Sequence, residues 1–85
     1  IIRVLYLDRS NLNDESIKIV ADLLRFNKNI TAISLNHNNI SDEGVKYLCE
    51  ALQYNDTLNR IELRFNKITN NGMRYFLNLL ESNPN

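Results

Sequence analysis

Apolar residues recur along this chain in a block that is written three times. Leu5 and Leu7 flank Tyr6; twenty-eight residues on, Ile33 and Leu35 flank Ser34; after another twenty-eight, Ile61 and Leu63 flank Glu62. Alternation of this kind puts two aliphatic side chains on one face of a short strand and the residue between them on the other. It predicts strands at Ile2–Leu7 and Leu58–Leu63, with the second strand at the same place in its own block. After each strand the apolar period lengthens to that of a helix. Ile17, Val20, Ala21 and Leu24 mark the first helix, roughly Asp14–Arg25, and Val45, Leu48, Cys49 and Leu52 the second. Met73, Phe76, Leu77 and Leu80 mark the third. These sets should face the sheet. Tyr47, Ala51, Tyr75 and Leu79 lie to one side and should meet the adjacent helix.

A strand so short cannot bury its apolar face alone. Stacking the copies buries each against the next and completes the backbone ladder. The units are 2–29, 30–57 and 58–85, within one domain of 85 residues and one small core.

The connecting residues repeat as well. Ile2 to Leu12, Ile30 to Ile40 and Leu58 to Ile68 fit L-x-x-L-x-L-x-x-N-x-L, with one lapse, Ser10 in place of Asn38 and Asn66. A buried amide at that bend can bond loop backbone that no sheet satisfies. Ser10 does less of this, so the first unit should be looser. Ser41 and Thr69 are placed as helix caps. Asp14, Glu15, Asp42 and Glu43 fall in first helical turns, where the helix dipole favours them. Gly44 and Gly72 share a first-turn position that Ser16 fills in the first unit; glycine is costly there, which predicts close approach of neighbouring backbone. Asn27-Lys28-Asn29 and Ser82-Asn83-Pro84-Asn85 read as turns leading back to a strand.

This pattern resembles a leucine-rich repeat, in the long form found in ribonuclease inhibitor and its intracellular relatives. The resemblance covers nearly the whole chain. It implies an α/β fold, a right-handed β-α solenoid that is part of a horseshoe, with a parallel concave sheet and outer helices. It also implies protein–protein recognition through the curved sheet, with no enzyme activity and no cofactor. Similar long repeats occur in the Ran GTPase-activating protein, which would make this chain a regulator of a GTPase offering Arg9, Arg60 or Arg64. A related region occurs in tropomodulin, which would make it a cytoskeletal binder.

On that arrangement the residues between the core aliphatics face the hollow: Val4, Tyr6 and Asp8, then Ala32, Ser34 and Asn36, then Arg60, Glu62 and Arg64. Arg9, His37 and Phe65 follow at the rim. These positions differ in every copy where the core positions do not, which separates residues free to vary from residues held by the scaffold. Tyr, Arg and Phe are the types that most often anchor an interface. The candidate partner-binding set is Tyr6, Asp8, Arg9, Ser34, Asn36, His37, Arg60, Glu62, Arg64 and Phe65. Three strands about 4.8 Å apart make a sheet roughly 15 Å wide. Its area, on the order of a few hundred Å², falls below the roughly 800 Å² per partner of a standard interface. Neither end carries a polar outer face, so a longer parent array, or self-association through the open ends, is expected.

Composition adds limits. Net charge is zero, which gives no electrostatic footprint for nucleic acid. No apolar run approaches the roughly 20 residues that span a bilayer. No secretory leader is visible. The single cysteine excludes an internal disulfide framework and points to a reducing, cytoplasmic setting. Acceptor-like triplets at Asn29, Asn39 and Asn55 follow from abundant Asn, Ser and Thr. His37, the one histidine, has no partner for a catalytic dyad or a metal. Cys49 sits at a core-facing helix position, as Ala21 and Leu77 do. Lys18, Lys46 and Arg74 share a position on the outer helices and form a solvated basic row that could meet an acidic partner.

Overall fold

The computed structural model describes residues 1–82. Strands β1 (Val4–Tyr6), β2 (Ala32–Ser34) and β3 (Arg60–Glu62) alternate with helices α1 (Asp14–Phe26), α2 (Asp42–Leu52) and α3 (Asn70–Ser82). The strands form one parallel sheet in the order β1-β2-β3. Its register pairs Leu5 with Ile33 and Ile33 with Ile61, so equivalent positions of the three units line up. The helices stack on one another in the same order, α1 on α2 and α2 on α3. This is a β-α solenoid. The turn expected at Asn83-Pro84-Asn85 lies outside the described residues.

The strands are shorter than the hydropathy pattern predicts, three residues each. The ladder still runs past their ends: Leu7 N–H donates to the Ser34 carbonyl at 2.8 Å, and Arg9 N–H to the Asn36 carbonyl at 3.0 Å. The chain bends away there while pairing continues. Buried between sheet and helices, Ile17, Leu24, Ile33, Leu35, Ile40 and Leu48 form the core, with Leu5, Leu7, Ile61 and Leu63 packed against it from either side. The middle unit is the best covered because it has a neighbour on both sides. Ala21 and Cys49 are likewise buried. Met73, Leu77 and Leu80 of the expected core are instead exposed. They occupy repeat positions that need the next unit beside them, and α3 has none among the described residues.

Two columns of asparagine join the units. Asn38 Nδ2 donates to the carbonyls of Leu7 (2.9 Å) and Leu35 (3.0 Å), and its Oδ1 accepts from the N–H groups of Ser10 (3.1 Å) and Leu12 (2.9 Å). Asn66 does the same one unit on, donating to Leu35 and Leu63 and accepting from Ile40. Each such asparagine therefore serves the loop of the preceding unit. The first loop, expected to be loose because of Ser10, is held by Asn38. Asn55 makes the second column. Its Nδ2 reaches back to the carbonyls of Leu24 (2.6 Å) and Asn27 (3.0 Å), and its Oδ1 accepts from Thr57 and Leu58 N–H.

Candidate functional site

The sheet face opposite the core is a shallow hollow lined by Val4, Tyr6, Ala32, Ser34, Arg60 and Glu62. Alternation along each strand places these side chains, and the parallel register sets them in rows across the sheet. Five of the ten sequence-selected residues are joined there in one hydrogen-bonded chain. Asp8 Oδ1 accepts from Ser34 Oγ and from Asn36 N–H, each at 2.7 Å. Asn36 Nδ2 donates to Ser34 Oγ (3.3 Å) and to Glu62 Oε1 (3.2 Å). Glu62 in turn pairs with Arg60 at 3.0 Å. Asn36 Oδ1 also accepts from Arg64 N–H at 2.7 Å, repeating what Asp8 does one unit earlier. Ser34 is only 5% exposed. Asp8, Ser34 and Asn36 thus tie the strands together as well as lining the face.

Tyr6 and Phe65 are different. They are 75% and 71% exposed, large aromatic surfaces without a cover. Arg9, Arg60 and Arg64 are exposed as well. His37 lies under Phe65, their rings stacked with centroids 4.3 Å apart and planes 12° from parallel. Arg9, His37 and Phe65 share more than a repeat position. All three have left-handed backbone, φ 54°, 56° and 59°. That conformation turns the chain out of the sheet and costs a side-chain-bearing residue roughly 1–2 kcal/mol. Neither this strain nor the stack has a residue-type signal, since glycine or asparagine is the usual mark of such a turn.

Arg3 and Lys67 extend the basic character of the strand-and-loop segments and were not among the selected residues. Both are exposed. Their signal was present in the charge pattern taken segment by segment, which the zero net charge conceals.

The remaining candidates lie elsewhere. On the helix side, Lys18 Nζ sits 5.4 Å from the Tyr47 ring centre, and Arg25 lies 4.1 Å from that of Tyr54. Of the basic row, Lys18 is therefore engaged with the next helix, while Arg25 and Tyr54 lie outside that row. Cys49 is buried between α2 and α3, and burial, then the nearby Glu50 charge, pushes its thiol up to about 11. A thiol so seldom ionised at neutral pH is a poor nucleophile.

Among solved structures the chain is similar to one of leiomodin-1, described as its actin-binding site 2 (ABS2), with a TM-score of 0.74 and 21% identity. The match covers 98% of this chain and 64% of that one, so the chain spans less than two thirds of its solved neighbour. At that identity the likeness concerns the fold alone. None of the curated proteins compared matches. The leucine rich repeat model matches residues 26–49 and 54–77, more than half of the chain. Both segments run from a helix end through the following strand and asparagine loop into the next helix, the unit whose stacking builds this sheet. On that match the chain belongs to the leucine rich repeat family.

Proposed function

We propose that this chain is a protein-binding module of the ribonuclease-inhibitor-like type, which docks a partner on the sheet face and its rim and does no chemistry of its own. The observation that supports it most is the exposure of Tyr6 and Phe65 on a face whose polar residues are already hydrogen-bonded to one another. A bonded polar floor with exposed aromatic anchors offers apolar contact area without unsatisfied groups beneath it. Tyr6, Arg9, Arg60, Arg64 and Phe65 supply contact, His37 supports Phe65, and Asp8, Ser34, Asn36 and Glu62 hold the floor. The single buried thiol fits a reducing, cytoplasmic setting.

Capture of partners from a cell extract tests this, comparing the native chain with Tyr6→Ala/Phe65→Ala and with the helix-face pair Lys18→Ala/Lys46→Ala. Loss in the first variant alone supports sheet-face docking. Loss in the second alone would move the site to the helices.

A second, cytoskeletal reading has one observation behind it: the solved neighbour is described as an actin-binding site. Co-sedimentation with filamentous actin, and binding to monomeric actin, test it directly. A GTPase-activating reading would have to rest on Arg9 or Arg64, because Arg60 is engaged with Glu62.

A further inference from the structure

The chain is neutral as a whole and polarised in its parts. The strand segments and the descending loops, which run from each strand to the helix that follows, carry Arg3, Arg9, Arg60, Arg64 and Lys67 against two acids, Asp8 and Glu62. The other eight acids, with the other five cations, lie on the helices and the turns that follow them. Both acids of the strand side are occupied. Asp8 accepts from Ser34 Oγ and Asn36 N–H, while Glu62 pairs with Arg60 and accepts from Asn36. Arg9 and Arg64 enter no ion pair among the described residues. They stand at adjacent loop positions on the two outer strands, Arg64 directly before Phe65 and Arg9 in the column of the His37–Phe65 stack. Two strand spacings separate them, roughly 10 Å, a span that three residues of an extended chain cover.

Resting on the docking role proposed above, we infer that the partner segment is an acidic peptide, laid in extended form across the three descending loops. Its carboxylates meet Arg9 and Arg64, and an apolar side chain lies on Phe65. The guanidinium fork suits a carboxylate, and five cations against two acids, one of them already paired with Arg60, disfavour a basic segment by like-charge repulsion.

Fluorescence anisotropy with the native chain and a labelled ten-residue peptide of alternating Glu and Gly with one central Leu tests the inference. The controls are the same peptide with Gln for Glu, and single-stranded RNA of equal charge. The acidic peptide should bind at least tenfold more tightly than the Gln peptide. It should lose at least tenfold between 50 and 500 mM salt, and lose binding in Arg9→Glu/Arg64→Glu but not in Lys18→Glu/Lys46→Glu. Equal binding of the Gln peptide, equal loss in the helix-face variant, or tighter binding of RNA overturns it. If partner capture needs Tyr6 and Phe65 but ignores the Arg9 and Arg64 reversals, docking on this face stands and the acidic class falls. If capture ignores all four residues, the docking proposal itself falls.

Discussion

The carboxylate of Asp14, at the start of α1, holds Ser41, the residue before α2. Ser41 N–H donates to Asp14 Oδ1 at 2.8 Å and the Ser41 hydroxyl donates to Oδ2. Asp42 holds Thr69 in the same way before α3. Ser41 makes no side-chain cap of its own helix, so the capping expected from its position is exchanged for a bond between units. The acids of the first turns therefore do more than answer the helix dipole: they tie each helix start to the next. The same carboxylates explain the glycines. A Cβ on Gly44 would lie 2.6 Å from Asp14 Oδ1 and 2.7 Å from Ile40 Cγ2. Side chains of the neighbouring unit and of the preceding loop, not neighbouring backbone, crowd that position.

Gly44→Ala should destabilise the chain by about 1–3 kcal/mol, the usual cost of overpacking, despite alanine's better helix propensity. Asp14 cannot simply swing away, because Ser41 holds it, and Ile40 is fully buried. Urea unfolding checks this. Adding Asp14→Ala to Gly44→Ala should cost less than the separate effects summed, since one change removes the clash of the other. An additive result would mean that the carboxylate does not exclude the methyl group.

Asn38→Ala should cost about 2 kcal/mol or more, because it strands partly buried backbone groups. The location of the effect is the sharper prediction. Amide exchange should quicken at Ser10 and Leu12, in the unit before the substitution. Quickening confined to residues after Asn38 would contradict the backward reach of the asparagine.

Asp42 titrates below its ordinary value of 3.8, chiefly because the Thr69 hydroxyl, then the Thr69 and Gly72 backbone, donate to its ionised form. A carboxylate lowered on folding stabilises the native state above its unfolded value and loses that contribution as pH falls through its folded value. The contribution of Asp42 should therefore fade with acidification below 3.8. Thr69→Val should bring its titration back toward that value, read by carboxyl NMR. An unmoved titration would assign the shift to another donor.

The Cys49 thiol, raised to about 11, should resist a thiol-specific disulfide reagent at pH 8 in the native chain and react at once in urea. Rapid native reaction would show that α2 and α3 separate readily.

Arg9→Asn should stabilise the chain by up to about 1 kcal/mol, because asparagine accepts the left-handed backbone more readily than arginine. His37→Asn should gain less, since it removes the stack on Phe65. A thermal melt of each separates the two terms.

Much of this was legible in the chain. Leu7, Leu35 and Leu63 sit in register because a 28-residue period with alternation inside it leaves few other ways to bury them. The candidate face was legible to the same extent, since alternation alone assigns Tyr6, Ser34 and Glu62 to the side away from the core. What escaped was which of those residues are occupied. Nothing in the spelling of Asp8, Ser34 and Asn36 says that one carboxylate serves the other two residues. Asn27 and Asn55 stand twenty-eight residues apart, but nothing in that spacing shows what the position does, for Asn55 bonds carbonyls about thirty residues back.

The sequence by itself determined the unit and its repetition, because hydropathy period and turn chemistry are local properties of neighbouring residues. Only the tertiary structure decided direction and partnership. Asn38 serves the loop before it, Asp14 the helix after it, and Gly44 yields its Cβ to a carboxylate thirty residues away. Such bonds form only once two units lie side by side at one strand spacing, so they belong to the stacking and not to any single stretch of chain.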